Sequence, residues 1–343
     1  MNIYLTYGII FVILLLLELA YFKIAAKCDI IDKPNERSSH STIVLRGGGI
    51  IFTLSTLIWC GLKVAHGDWE LVIEYLPFLC ALILIAIVSL VDDIRSLPYS
   101  VRLVAQFLAM NLMFYNLDMM HLELWWIVIL ALIVCVGATN VINFMDGVNG
   151  ITAGYSLAVL IPLAVFNGSE SSNGFVDQSF LITAILGVLV FCLFNFRPKG
   201  KAKCFAGDVG SIGIAFIMLF AIGKLVMQTQ DITWVVFLVV YLVDGVLTIC
   251  HRIMLRENLG KAHRKHAYQL MANELKIGHV KVSSFYALLQ LVVSLAFIYL
   301  CPNTKTYHWM FLIGIFVVLS VAYILLKKKY YPLHEKYLAS LKK

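Results

Sequence analysis

Four polar clusters interrupt a very apolar chain of 343 residues: Asp92-Asp93, NVINFMDGVNG at 140–150, FAGDVGS at 205–211 and HRKHAYQ at 263–269. Adjacent helical positions point about 100° apart. Asp92 and Asp93 therefore cannot both face one ligand from an ideal helix. One can face a phosphate or metal as base or electrostatic partner while the other orients a neighbour; the plainer reading is a helix end paired with Arg95 or Arg102. Asn140, Asn143 and Asp146 are spaced i, i+3, i+6, which lines three oxygen-bearing side chains along one helical face. Oxygen-only ligands suit Mg²⁺ or Mn²⁺ better than zinc, and Gly147 and Gly150 let the backbone turn beside a ligand. In FAGDVGS, the free N–H groups of a helix start could hold phosphate while Asp208 holds its metal; capping by Asp208 or Ser211 is the alternative. RGGG at 46–49 likewise opens an apolar run, with Arg46 suited to an anion. His263, Arg264 and His266 could bind pyrophosphate oxygens, move a proton near neutral pH, or be solvated. His263 and His266 share a face if that segment is helical, and too few ligands surround them for zinc. Asp244, inside an apolar run, either supports the site or pairs with Thr248 or Arg252.

The elements that must position these groups are membrane helices. Hydrophobic residues make up 61% of the chain and charged ones 14%, which excludes an ordinary soluble domain. Apolar stretches near the ~20 residues that span hydrocarbon recur at 2–22, 48–66, 76–91, 101–118, 124–142, 150–167, 179–196, 209–227, 232–250, 282–301 and 308–327. The expectation is an all-α polytopic membrane protein of about eleven spans, forming a single domain over 1–343. The first run lacks a basic n-region and a small-residue cleavage site, so it reads as a retained helix rather than a signal peptide. Loops 23–47, 92–102, 197–203 and 251–281, with Lys327 and the tail 328–343, hold 24 of the 27 Lys and Arg residues. By the positive-inside rule these are cytoplasmic, with the N-terminus outside and the C-terminus inside. All four clusters then fall on the cytoplasmic side. The net charge of +7 follows from topology and attraction for anionic lipid, not from nucleic acid. Eight cysteines without a C-x-x-C read as small core residues.

Together these motifs resemble the polyprenyl-phosphate N-acetylhexosamine-1-phosphate transferases, glycosyltransferase family 4, which include the muramyl-pentapeptide translocase. The likeness covers nearly the whole length in order: DKPNERSSH and RGGG, VDD, NVINFMDGVNG, FAGDVGS, HRKHAYQ. HRKHAYQ looks like the HR-x-H-x-YQ of the O-antigen-initiating branch, not the three-histidine cluster of the translocases. The resemblance implies transfer of a sugar-1-phosphate from a UDP-N-acetylhexosamine to undecaprenyl phosphate at the inner membrane, with UMP released into the cytoplasm. It implies Asn143 and Asp208, with Asp146 a further candidate, as ligands of Mg²⁺ (Mn²⁺ as the alternative). Asn149 would contact uridine, Phe205 would stack on uracil and Asn195 would reach the nucleotide. Asp92 or Asp93 would position or deprotonate the lipid phosphate, and His263, Arg264 and His266 would grip the sugar-pyrophosphate. Arg46 and Arg102 would bind phosphate; a guanidinium is too basic to carry protons. Direct attack by the lipid phosphate is favoured over a covalent aspartyl-phosphate. A homodimer is compatible with this reading. Other readings are the same transfer from UDP-MurNAc-peptide, an ion-coupled transporter, for which no related halves are found, and a non-catalytic lipid-pyrophosphate binder.

Overall fold

In a computed structural model the chain is built almost wholly of helices. The structure describes residues 3–32, 43–121, 123, 125–258 and 263–340. Most of the DKPNERSSH run lies outside the described residues.

Helical segments fall at each of the eleven predicted positions: α1 (Ile3–Lys27), α2 (Ile50–His66), α3 (Trp69–Ile94), α4 (Tyr99–Asn116), α5 (Trp125–Phe144), α6 (Ile151–Asn167), α7 (Gln178–Asn195), α8 (Gly207–Thr229), α9 (Val239–Met254), α11 (His279–Leu300) and α12 (Lys305–Ser340). A 3-10 stretch, Ile232–Leu238, leads into α9, and a short α10 (Ala267–Gln269) runs on as a π-turn, Leu270–Glu274. Among the described residues, eight helical stretches are long and apolar enough to cross a membrane. α2 and α6 are apolar at 17 residues each. α4 has 18 residues but carries Arg102, Gln106, Asn111 and Asn116. Helices prevail because hydrocarbon offers no partner for an unpaired backbone N–H or C=O. The protein is an all-α polytopic membrane protein. At its centre is α8, 83% buried over its most apolar stretch, and at its edge α12, 6% buried.

Two boundaries differ from expectation. α3 begins at Trp69, not 76, and continues through both acids to Ile94. α12 does not give way to an irregular tail at 327 but stays helical to Ser340. Hydropathy reports where the solvent changes, whereas Lys, Tyr, Leu and Glu continue a helix readily in water. Side-chain contacts then fix the extension, as when His334 Nδ1 lies 2.8 Å from Glu274 Oε1.

One short piece of extended chain bears on the site. β1 (Ile31–Asp32) pairs antiparallel with β2 (Val44–Leu45), and Leu45 bridges in parallel to Cys204. The chain after β2 runs alongside the entry to α8. Phe205 N donates to Leu45 O (2.8 Å), Gly48 N to Phe205 O (2.9 Å) and Gly49 N to Ala206 O (3.1 Å). A Cβ on Gly49 would stand 2.3 Å from the Gly210 Cα, so α2 and α8 start in backbone contact.

Candidate active site

The end of α3 and the start of α8 meet where the RGGG strap crosses them. Asp93, fully buried in its side chain, accepts from the amides of Asp208 (2.9 Å) and Val209 (3.0 Å) and lies 2.7 Å from Arg46 Nε. α8 is thus capped by an acid from another helix. This changes the sequence reading in two ways. The Asp208 and Val209 amides face a carboxylate rather than a phosphate, and neither Asp208 nor Ser211 is the N-cap; Ser211 Oγ donates to Gly207 O instead (2.9 Å). Gly207, at φ +70°, makes the turn possible, since a Cβ there would stand 2.5 Å from Asp93 Oδ2.

Asp92, one residue earlier, points elsewhere. It accepts from Leu97 N (2.6 Å) and from Arg102 Nη1 (2.8 Å), so Arg102 rather than Arg95 is its partner. Arg102 Nη1 also reaches Asp208 Oδ2 (3.3 Å), and Arg46 Nη2 lies 3.6 Å from Asp208 Oδ1. Two half-exposed arginines therefore hold three carboxylates together. Burial works against the Arg46 charge, but Asp93 and Asp208 outweigh it and raise its pKa above the ordinary value.

The amide stripe is only partly realised. Asn143 Nδ2 donates to Asp208 Oδ1 (3.0 Å) and Ser211 Oγ (2.9 Å). Asn140, one turn deeper, engages Gln106 and the Val136 carbonyl instead. Because α5 stops at Phe144, Asp146 enters from the following loop, where its Oδ1 accepts from Thr152 Oγ1 (2.5 Å). Burial pushes the Asp146 carboxyl up to about 6, with the Thr152 hydrogen bond pulling the other way.

A pocket of about 230 Å³ opens here, and Arg46, Asn143, Asp146, Asn149, Asn195, Phe205 and Asp208 all line it. Asn195 also braces its wall, accepting from Gly150 N (2.7 Å) and donating to Cys204 O (2.8 Å). Asn149 donates to the Arg197 and Pro198 carbonyls (2.9 and 3.0 Å), clamping the loop before α8. Asp32, Gln269 and His279 also line it. The sequence points to no role for Asp32 or Gln269, although they sit in DKPNERSSH and HRKHAYQ. His279 carried no sequence signal; it reaches the pocket as the first residue of α11, its Nδ1 3.3 Å from Asn149 N.

HRKHAYQ is held from two sides. Asp244 accepts from Ala267 N (2.9 Å), Tyr268 N (3.3 Å) and Tyr286 Oη (2.7 Å), and its Oδ1 lies 3.3 Å from His266 Nδ1. Thr248 does bond Asp244 (3.2 Å), but Arg252 turns to Glu257 and the Asn258 carbonyl. The two histidines precede α10 instead of lying on a helix, with ring centres 5.0 Å apart and His263 6.4 Å from the Phe144 ring at the end of α5. His263 Nδ1 and His266 Nε2 are buried with no hydrogen-bond partner among the described residues. Burial first, then the electrostatic influence of the nearby His266, Arg252, Lys265 and Lys327, drives His263 down to about 2. In this state it is a neutral imidazole. Arg264 faces away from the pocket, 3.0 Å from Glu274 and 4.3 Å over the Tyr337 ring of α12.

Among the described residues no group of three His, Cys, Asp or Glu side chains forms a metal cage. The oxygen donors at hand, from Asp208, Asn143 and Asp146, instead fit a hard cation that takes one or two carboxylates and fills its shell with water and substrate phosphate.

Residues 75–226 match the family model of Glycosyl transferase family 4. A "probable undecaprenyl-phosphate N-acetylglucosaminyl 1-phosphate transferase" of Bacillus subtilis is 25% identical over 266 residues, 73% of this chain and 72% of that protein. A putative glycosyltransferase of Methanocaldococcus jannaschii is 29% identical over 175 residues, 50% of this chain and 54% of its own length. A phospho-N-acetylmuramoyl-pentapeptide-transferase of Shouchella clausii is 36% identical over 91 residues, 26% of each chain. The chain thus spans about half of the second relative and a quarter of the third. The matched segment contains Asp92, Asp93, Arg102, Asn143 and Asp208, the groups that converge in space, so the part of the chain that resembles glycosyl transferase family 4 is the part that builds this site.

Proposed function

We propose that the protein transfers N-acetylhexosamine-1-phosphate from a UDP-sugar to undecaprenyl phosphate, giving undecaprenyl-pyrophosphoryl-sugar and UMP. This would be the first membrane step of O-antigen or another cell-envelope polysaccharide. The observation that carries the reading is Asp208 held between Arg46 and Arg102 at a pocket beside a membrane-helix end. Two guanidiniums and a metal-competent carboxylate suit a reaction whose donor and acceptor are both phosphates.

Arg102 on α4, backed by Asp92, receives the acceptor phosphate. A phosphomonoester has a second pKa of about 6, so its oxygen is already anionic at neutral pH and needs no strong base. That oxygen attacks the sugar-side phosphorus; the bond to UMP breaks, and UMP leaves with the electron pair. Arg46 steadies the charge on the pyrophosphate. Asp93 is a positioning residue, because its oxygens already hold α8 and Arg46. Phe205 and Asn149 form the nucleotide wall, and the neutral His263, together with His266, offers hydrogen bonds to the sugar-phosphate. Asp208, Asn143 and Asp146 would hold Mg²⁺ or Mn²⁺, which when bound supplies charge neutralisation at the leaving phosphate. The site faces the cytoplasm in this reading, as the Lys and Arg distribution requires.

The test is UMP release by purified protein given undecaprenyl phosphate, Mg²⁺ and a panel of UDP-N-acetylhexosamines. Lipid- and metal-dependent UMP from one donor, reduced by about 100-fold or more in Asp208→Asn, is expected. No UMP from any donor, in folded protein that binds the lipid, would remove the proposal.

A further inference from the structure

On the flank of the helix bundle α9 and α12 form a second, larger cavity, an open groove of about 520 Å³, within the size range of pockets that take whole small molecules, about 300–1,000 Å³. Its walls are apolar, from Leu247, Cys250 and Met254 on α9 and Ile324 and Pro332 on α12. A basic band crosses its middle: Lys327, Lys328 and His251 line it between Leu247, Tyr323 and Ile324 on one side and Met254, Tyr331 and Pro332 on the other, and no Asp or Glu does. Lys327 is 7% exposed, set over the rings of Tyr323 (5.5 Å) and Tyr331 (5.1 Å), and donates to the Lys265 carbonyl. Lys328 is exposed. His251 Nδ1 is buried with no partner among the described residues.

An apolar groove crossed by lysines where the apolar part of a membrane helix ends matches one chemistry: a hydrocarbon chain carrying a negative headgroup. The chain would lie against the aliphatic walls, and the headgroup phosphate would meet Lys328 and His251, where basic side chains favour anionic lipid. We propose that this cavity binds an anionic phospholipid. It is not the acceptor's place. Arg102 and Asp92 lie on α4 and α3, α5 packs against both α4 and α9 and so stands between them, and the two cavities share no lining residue.

Native mass spectrometry of the full chain, equilibrated with equal amounts of phosphatidylglycerol and phosphatidylcholine, tests this without reference to UMP formation. One phosphatidylglycerol should stay bound per chain, preferred by roughly fivefold per engaged lysine. Lys328→Glu, an exposed and structurally mild change, should remove the preference. Cys250→Trp, which fills the slot, should abolish retention of both lipids. Equal retention of the two lipids, retention unchanged in Cys250→Trp, or displacement of the bound phosphatidylglycerol by added polyprenyl phosphate would each overturn the proposal.

Discussion

Asp92 and Asp93 are neighbours in the chain, yet the roughly 100° between successive helical side chains sends one to Arg102 and the other beneath α8. The division of labour was legible from the sequence; which acid took which duty was not, because it depends on where α8 begins. Arg264 shows the same limit. Its charge and place in HRKHAYQ suggest a substrate grip, but Glu274 and Tyr337, neither in a motif, turn it toward α12. His263 allows a direct check at this scale. Its pKa is about 2 in the fold, against about 6.5 unfolded. Between those values the unfolded chain binds a proton that the folded chain does not, so stability rises with pH. His263 therefore leaves stability intact above about pH 6.5 and erodes it progressively as pH falls below that. The melting temperature in detergent should drop more steeply from pH 7.5 to 5.5 in the parent protein than in His263→Gln. Equal slopes would show that His263 is not held neutral.

Among the elements, the strap from Leu45 to Gly49 decides the site's geometry. It carries Arg46 to Asp93 and Asp208 while its backbone bonds the 205–206 segment. Gly49→Ala must part α2 from α8, since its Cβ would come within 2.3 Å of Gly210. Overpacking of this kind costs about 1–3 kcal/mol, so a clear fall in melting temperature with loss of UMP formation is expected. Gly61→Ala, on the same helix with nothing within 4 Å, should leave both near normal; equal effects of the two would discredit the crossing. The sequence reads RGGG as an anion-binding helix start, and Arg46 does line the pocket. Its glycines also permit backbone contact with a distant segment, which a linear pattern does not reveal. The helices themselves were legible because hydropathy tracks the solvent around each run. For the same reason the polar continuation of α12 was not.

For the whole molecule, α8 is enclosed on nearly all sides while α12 lies almost wholly on the outside, and the clusters far apart in sequence meet at the start of the former. The order of motifs pointed to that meeting, but its supports, including Asp244 under the histidines and Glu274 between Arg264 and His334, come from helix packing. The two walls of the pocket are consequently built to different stiffness. On the carboxylate side two helix starts touch backbone to backbone, leaving no lever by which the wall could swing. On the histidine side a short helix and a π-turn hang from side-chain bonds, which can release singly. Opening for substrate should therefore belong to one wall alone. In hydrogen–deuterium exchange, Gly48, Gly49, Asp208 and Val209 should be among the slowest amides, while Ala267–Glu274 should exchange through local opening. Similar protection of both walls would mean that the pocket breathes as one body.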